Sequence, residues 1–145
     1  MSPRPVRIFL DANVLVAVLN REYPLFPLAS RMLSLCDNPR FLVYTSPVCL
    51  AIAFYFSEKK SGNYLARQKI ASLSSRIRIA KTNKAAVEQT IRHKQIHDFE
   101  DGLAYFSAVN AGCQVIVTED KDDFYFSEIP VMNCEEFLIA QAARP

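Results

Sequence analysis

The chain has 145 residues and a mass of 16.4 kDa, with 50% hydrophobic and 22% charged residues, 8 Pro and only 3 Gly. That composition excludes disordered, collagen-like and low-complexity chains, and it predicts one globular domain over residues 1–145 that folds without a disulfide or structural metal. The net charge of +2 conceals a division: from Lys59 to His97 ten Lys or Arg stand against one acid, Glu88, and from Asp98 to Glu136 ten acids stand against Lys121 alone.

Arg7 to Leu10 is a short apolar run that predicts a buried strand, followed by Asp11-Ala12-Asn13 and a helical run from Val14 to Leu19. Pro24 and Pro27 break the chain, and Leu28, Met32, Leu33 and Leu35 predict a helix that stops near Asp37-Asn38-Pro39. Phe41 to Tyr44 is a second strand, and Thr45-Ser46-Pro47 supplies a cap and an N1 proline for a helix to about Glu58. Ser61-Gly62-Asn63 is a turn, after which Leu65, Ile70 and Leu73 mark another helix and Ile77 to Ala80 a short strand. Thr82-Asn83 caps a helix through Val87 and Ile91, and Asp98 caps the next, which ends at Ala111-Gly112 with glycine at C′. Gln114 to Thr118 is the strongest strand signal, and Glu135 to Ala142 a terminal helix. Strands alternating with helices, with no hairpin signature, give an α/β class with a mainly parallel sheet.

Four cysteines, Cys36, Cys49, Cys113 and Cys134, are spread without a C-x-x-C pair and read as core residues of a reducing compartment. Asp11 interrupts the only early apolar run, so neither a signal peptide nor a membrane span is expected, and the setting predicted is cytoplasmic. The charge blocks have two readings. Either they are solvated faces that pair with each other, or a basic flank for a polyanion lies beside a cation-binding pocket.

In open parallel sheets the functional crevice lies beyond the carboxyl ends of the strands, and this selects Asp11, which follows the first strand, and Asp120, just past the strand ending at Thr118. Asp98 and Asp101 share one face at the start of a helix, although an N-cap at Asp98 with an acid at N3 is a sufficient structural account of that pair. Carboxylates gathered in this way suit Mg2+ or Mn2+, which polarise a phosphodiester and acidify a bound water. His93 and His97, four residues apart, read as helix neighbours on a basic face. Tyr44, Tyr55, Tyr64 and Phe54 offer base stacking or ordinary packing. No Gly-rich phosphate loop or G-x-S-x-G elbow is present.

Phe9-Leu10-Asp11-Ala12-Asn13-Val14, Asp98-Phe99-Glu100-Asp101-Gly102-Leu103-Ala104 and Ile116-Val117-Thr118-Glu119-Asp120 through Phe124 resemble, in order and spacing, the strand-and-acid motifs of the PIN domain. Ser127 to Val131 with Glu135-Glu136-Phe137-Leu138 is similar to the ending of a bacterial branch, so the resemblance covers about residues 6–138. It implies a single three-layer domain with a five-stranded, mainly parallel sheet flanked by helices. It also implies a metal-dependent endoribonuclease, often the toxin of a toxin–antitoxin pair. By position Asp11, Asp101 and Asp120 are the implied catalytic and metal-site acids, with Asn13 and Thr118 in support and Asp98 and Asp123 as further acids. The implied cofactor is Mg2+ or Mn2+. The implied partners are RNA and an antitoxin protein, with a homodimer as an option and no membrane. Ile52 stands where the family commonly carries Glu or Asn, which motivates a second reading, a degenerate fold that binds RNA or protein without catalysis. A third, a phosphoacceptor domain using Asp11, lacks the basic residue expected after a late strand.

Overall fold

The computed structural model describes residues 4–143. Five strands, β1 (Val6–Leu10), β2 (Phe41–Thr45), β3 (Arg78–Ile79), β4 (Val115–Val117) and β5 (Val131–Met132), pair in the order β3-β2-β1-β4-β5, every pair parallel. The α/β class and five-stranded sheet expected from the sequence are what the chain adopts. Six helices connect or follow the strands: α1 (Ala12–Leu19), α2 (Phe26–Ser34), α3 (Pro47–Ser74), α4 (Lys84–Arg92), α5 (Phe99–Asn110) and α6 (Cys134–Ala142). The central strands are covered on both faces, which is why β1 and β4 read as unbroken apolar runs: Ile8, Phe9, Leu10, Ile116 and Val117 are fully buried.

The strand order reverses at β1, whose neighbours are β2 on one side and β4 on the other. The chain leaves β1 toward β2 and β3, then returns through α4 and α5 to β4. Crossovers in opposite directions therefore separate their helices at the carboxyl end of β1 and open a crevice there.

Local capping explains most helix starts. The side chains of Ser46, Asn83, Asp98 and Asn133 each accept a hydrogen bond from the backbone N–H three residues on, and Gly112, at φ 79°, takes the C′ place after α5. Three expectations are corrected. Pro27 does not break the chain; it sits in the first turn of α2, where its missing N–H costs nothing. The turn at Ser61-Gly62-Asn63 contracts to a break at Gly62 (φ 83°, ψ 165°) between two helical halves of α3. His93 and His97 do not share a helix, because α4 ends at Arg92 with His93 as its cap. His93 instead packs against Phe106 and Phe126, and His97 stacks on Tyr125.

The charge blocks do not neutralise each other. Among the described residues the ion pairs are Arg76–Asp37, Lys84–Glu88, Arg92–Glu88 and Lys121–Glu136, and none joins the basic block to the acidic one. The reading of mutually paired faces is thereby set aside.

Gly102 sets the approach of α5 to α4. A Cβ there would lie 2.3 Å from Thr90 Cγ2 and 2.9 Å from Ile96 Cγ2. Thr90 is buried and its hydroxyl donates to the Ala86 carbonyl, so it cannot step aside without losing that bond. Gly102→Ala should therefore lower stability by about 1–3 kcal/mol despite alanine's better helix propensity, readable in urea melts.

Candidate active site

Asp11 continues the β1 ladder, its N–H donating to the Val117 carbonyl at 3.0 Å, and at the same residue α1 begins, with Asp11 Oδ1 accepting from the Ala12 N–H at 2.9 Å. One residue thus ends the strand and caps the helix, which fixes its carboxylate at the mouth of the crevice.

Its other oxygen is held from β4. Thr118 Oγ1 donates to Asp11 Oδ2 at 2.8 Å while accepting from Asn13 Nδ2 at 2.9 Å and from the Asp120 N–H at 3.1 Å. Asn13 Nδ2 also donates to Asp120 Oδ2 at 3.2 Å, and Asn13 Oδ1 accepts from the Glu119 N–H at 3.1 Å. Asn13 and the fully buried Thr118 therefore lock Asp11 and Asp120 into one frame across β1 and β4. The Cys49 thiol, 3.6 Å from Asp11 Oδ1, adds a weak donor from α3. Burial nonetheless pushes the Asp11 carboxyl above its ordinary range, opposed by the bonds from Thr118, Ala12 and Cys49.

Thr118→Val keeps the shape but removes the hydroxyl that serves three partners. We expect a loss of about 1–3 kcal/mol in stability and a further rise in the Asp11 pKa, measurable by thermal melts and NMR titration.

Asp11, Asn13, Asp101, Asp120 and Asp123 line one cavity of about 370 Å3. Asp101, half-buried near the start of α5, is pushed up to about 7 by burial and then by the neighbouring charges of Asp98, Asp123, Asp11 and Glu100. Asp123, in the short 3-10 turn Lys121–Phe124, is raised too, chiefly by burial and then by Asp120, Asp98 and Asp122. Asp98 does not border this cavity. It caps α5 by accepting from the Asp101 N–H at 3.0 Å and lines an adjoining hollow with Asp101 and Asp123, which makes its capping role the observed one.

Two further residues of the cavity carry no signal in the sequence. Glu22 reaches it because α1 ends in a two-bond cap: the Arg21 N–H donates to Val18 O and the Glu22 N–H to Ala17 O, with Arg21 at φ 50° where glycine is usual. Phe56 lines it with Ile52 from α3. At Ile52 the helix thus presents an apolar wall to a pocket otherwise rich in carboxylates.

Among the described residues no three of His, Cys, Asp and Glu stand close enough to enclose one ion. The donor chemistry still suits a hard cation of the Mg2+ kind, which keeps several waters and is bound by one or two carboxylates plus substrate phosphate. Burial first, and neighbouring carboxylates second, raise Asp11, Asp101 and Asp123 together.

A PIN domain family model matches residues 7–122. The chain belongs to the PIN domain family. This PIN domain is 27% identical over 135 residues to Ribonuclease VapC1 of Aquifex aeolicus (strain VF5), covering 90% of this chain and 92% of that protein. In fold it is similar to VapC20 of Mycobacterium tuberculosis, a sarcin-ricin loop cleaving toxin, with a TM-score of 0.66, 21% identity, and 83% of this chain and 95% of that chain covered. It is also similar to DNA-bound VapBC of Salmonella typhimurium, with a TM-score of 0.67, 16% identity, and 89% and 98% covered. Within the PIN domain no described helix is long and apolar enough to cross a membrane.

Proposed function

We propose that this PIN domain is a metal-dependent endoribonuclease that hydrolyses RNA phosphodiesters. The observation that carries the reading is the arrival of Asp11, Asp101 and Asp120, from three separate elements, in one cavity at the carboxyl edge of the sheet where the strand order reverses. Asp11, Asp101 and Asp120 would hold Mg2+ or Mn2+ partly through the ion's own waters, since the three do not close on one point, with Asp123 at the rim, and the ion would supply charge neutralisation at the phosphate and a more acidic water. The protein's own share is positional. Thr118 and Asn13 orient Asp11 and Asp120, and Asp101 must release its proton, which its raised pKa makes sensitive to pH near neutrality. The basic segment from Lys59 would contact the RNA backbone, giving affinity without base choice.

The likeness to the ribonuclease VapC1 supports the same chemistry; a toxin held by an antitoxin partner belongs to this reading, in a single domain of residues 1–145 working in the cytoplasm, where four free cysteines fit a reducing medium. A homodimer belongs to the same reading. The observation favouring a non-catalytic module is Ile52, which leaves the α3 side of the cavity without a carboxylate. Cleavage of a mixed RNA pool with Mn2+ decides between them: wild type should cut and Asp11→Asn should not. Retained RNA or protein binding with no cleavage by wild type would establish the module instead.

A further inference from the structure

Ile52 and Phe56 lie one helical turn apart on α3 and share the cavity with Asp11, Asp101 and Asp120. Phe56 stays 45% exposed and lies outside the hydrophobic core; its ring makes an edge contact with Tyr55 at 5.3 Å. Tyr55 is 54% exposed, and Lys59, one turn further, sits over its ring at 5.0 Å with Nζ donating to Tyr55 Oη at 3.3 Å. Along the same helix the order is therefore apolar wall at the carboxylates, open aromatic, then ammonium. That order suits a single-stranded nucleotide, whose flat base projects from a sugar that joins two phosphates. A cation one turn beyond the aromatic suits the next phosphate of an RNA strand, which carries one charge at every nucleotide.

We infer that Phe56, flanked by Ile52, is the stacking platform for the unpaired base beside the scissile phosphate, and that Lys59 receives the following phosphate; this rests on the ribonuclease reading above. Phe56 is a specificity-determining residue for unpaired RNA. Every base has a π-face, so it selects single strands rather than a base. Duplex RNA keeps its bases stacked within the helix and cannot offer one to Phe56.

The test uses the full chain. With a cleavage junction mapped on single-stranded RNA, each flanking base is replaced in turn by an abasic ribose. Wild-type kcat/KM should fall about tenfold when one of them is removed. Phe56→Ala should lose about tenfold on intact RNA and become indifferent to the abasic site, while Phe56→Trp should keep wild-type behaviour. In the Asp11→Asn background, single-stranded decamers each carrying one 2-aminopurine report stacking by quenching at one position, and Phe56→Ala should abolish it. Equal abasic ratios for wild type and Phe56→Ala, or quenching that survives Phe56→Ala, overturns the platform. If wild type cuts no RNA, the ribonuclease reading falls, and the quenching measurement still decides whether Phe56 stacks a base. Should Phe56→Ala fold poorly, Phe56→Leu replaces it.

Discussion

Asp101→Asn should raise the melting temperature of the metal-free protein at pH 8 by roughly 3–5 °C and blunt its response to Mn2+. Asp101 is half-buried and faces Asp98, Asp123, Asp11 and Glu100, which together with burial hold its carboxyl at about 7. In the unfolded chain the same group titrates near 4, about three pH units lower. The folded state thus binds the extra proton between those values. The stability this group contributes is complete below about pH 4 and is lost as pH rises through about 7. Acidifying the metal-free wild type from pH 8 to pH 6 should therefore raise its melting temperature by the first part of this contribution, and Asp101→Asn should remove that slope. We place the effect at about 1 kcal/mol, since the carboxylate is partly exposed and solvent screens its neighbours. Mn2+ acts in the opposite direction of pH. It competes with the proton, so its stabilisation of wild type should be larger at pH 8 than at pH 6, reaching about 2.7 kcal/mol at a hundredfold excess over Kd. A wild type whose melting temperature ignores both pH and millimolar Mn2+ would remove Asp101 from any cation site.

Ile52→Glu should make the enzyme bind Mn2+ more tightly and cleave single-stranded RNA faster, each by about tenfold. Ile52 is half-buried on the wall of the cavity that Asp11, Asp101 and Asp120 line and also packs against the core, so a glutamate there enters the same space at the cost of some apolar packing. Without metal a further carboxylate adds repulsion to a pocket where Asp11 and Asp101 are already raised, and the variant should melt below wild type. Saturating Mn2+ should reverse the order. Melting curves with and without Mn2+ separate this from plain unfolding, because a misfolded variant gains nothing from the ion. No cleavage by wild type or by a well-folded Ile52→Glu would leave the non-catalytic module as the function.

Much of the site was legible because its signals are local. An apolar strand ending directly in Asp11, a second ending before Asp120, and an Asp98 cap followed by Asp101 are patterns of adjacent residues, and backbone chemistry ties each to one geometry. The same holds for the caps at Ser46 and Asn83 and for Gly112. β5 carries no such pattern. Two residues beside Pro130 have no periodicity to read, and Val131 and Met132 are a strand only because the β4 edge offers them partners. His93 and His97 failed as a helix pair for a similar reason: spacing alone does not show that α4 stops at Arg92, where His93 gains aromatic packing against Phe106 and Phe126.

By itself the sequence determined the α/β class, the strand that delivers Asp11, the cap that delivers Asp101 and the strand that precedes Asp120. Each follows from propensity and hydrogen bonding within a few residues. Only the tertiary structure decided that these acids share a cavity, that Asp98 turns aside to its cap, and that the basic and acidic blocks stay unpaired. It alone brought Glu22 to the site, through a left-handed Arg21 that no glycine announced, and set Phe56 beside the carboxylates. The reason is that the cavity belongs to no segment. It forms where the strand order reverses around β1, from pairings between residues up to 107 apart in the chain, and such pairings leave no periodic trace in a single sequence.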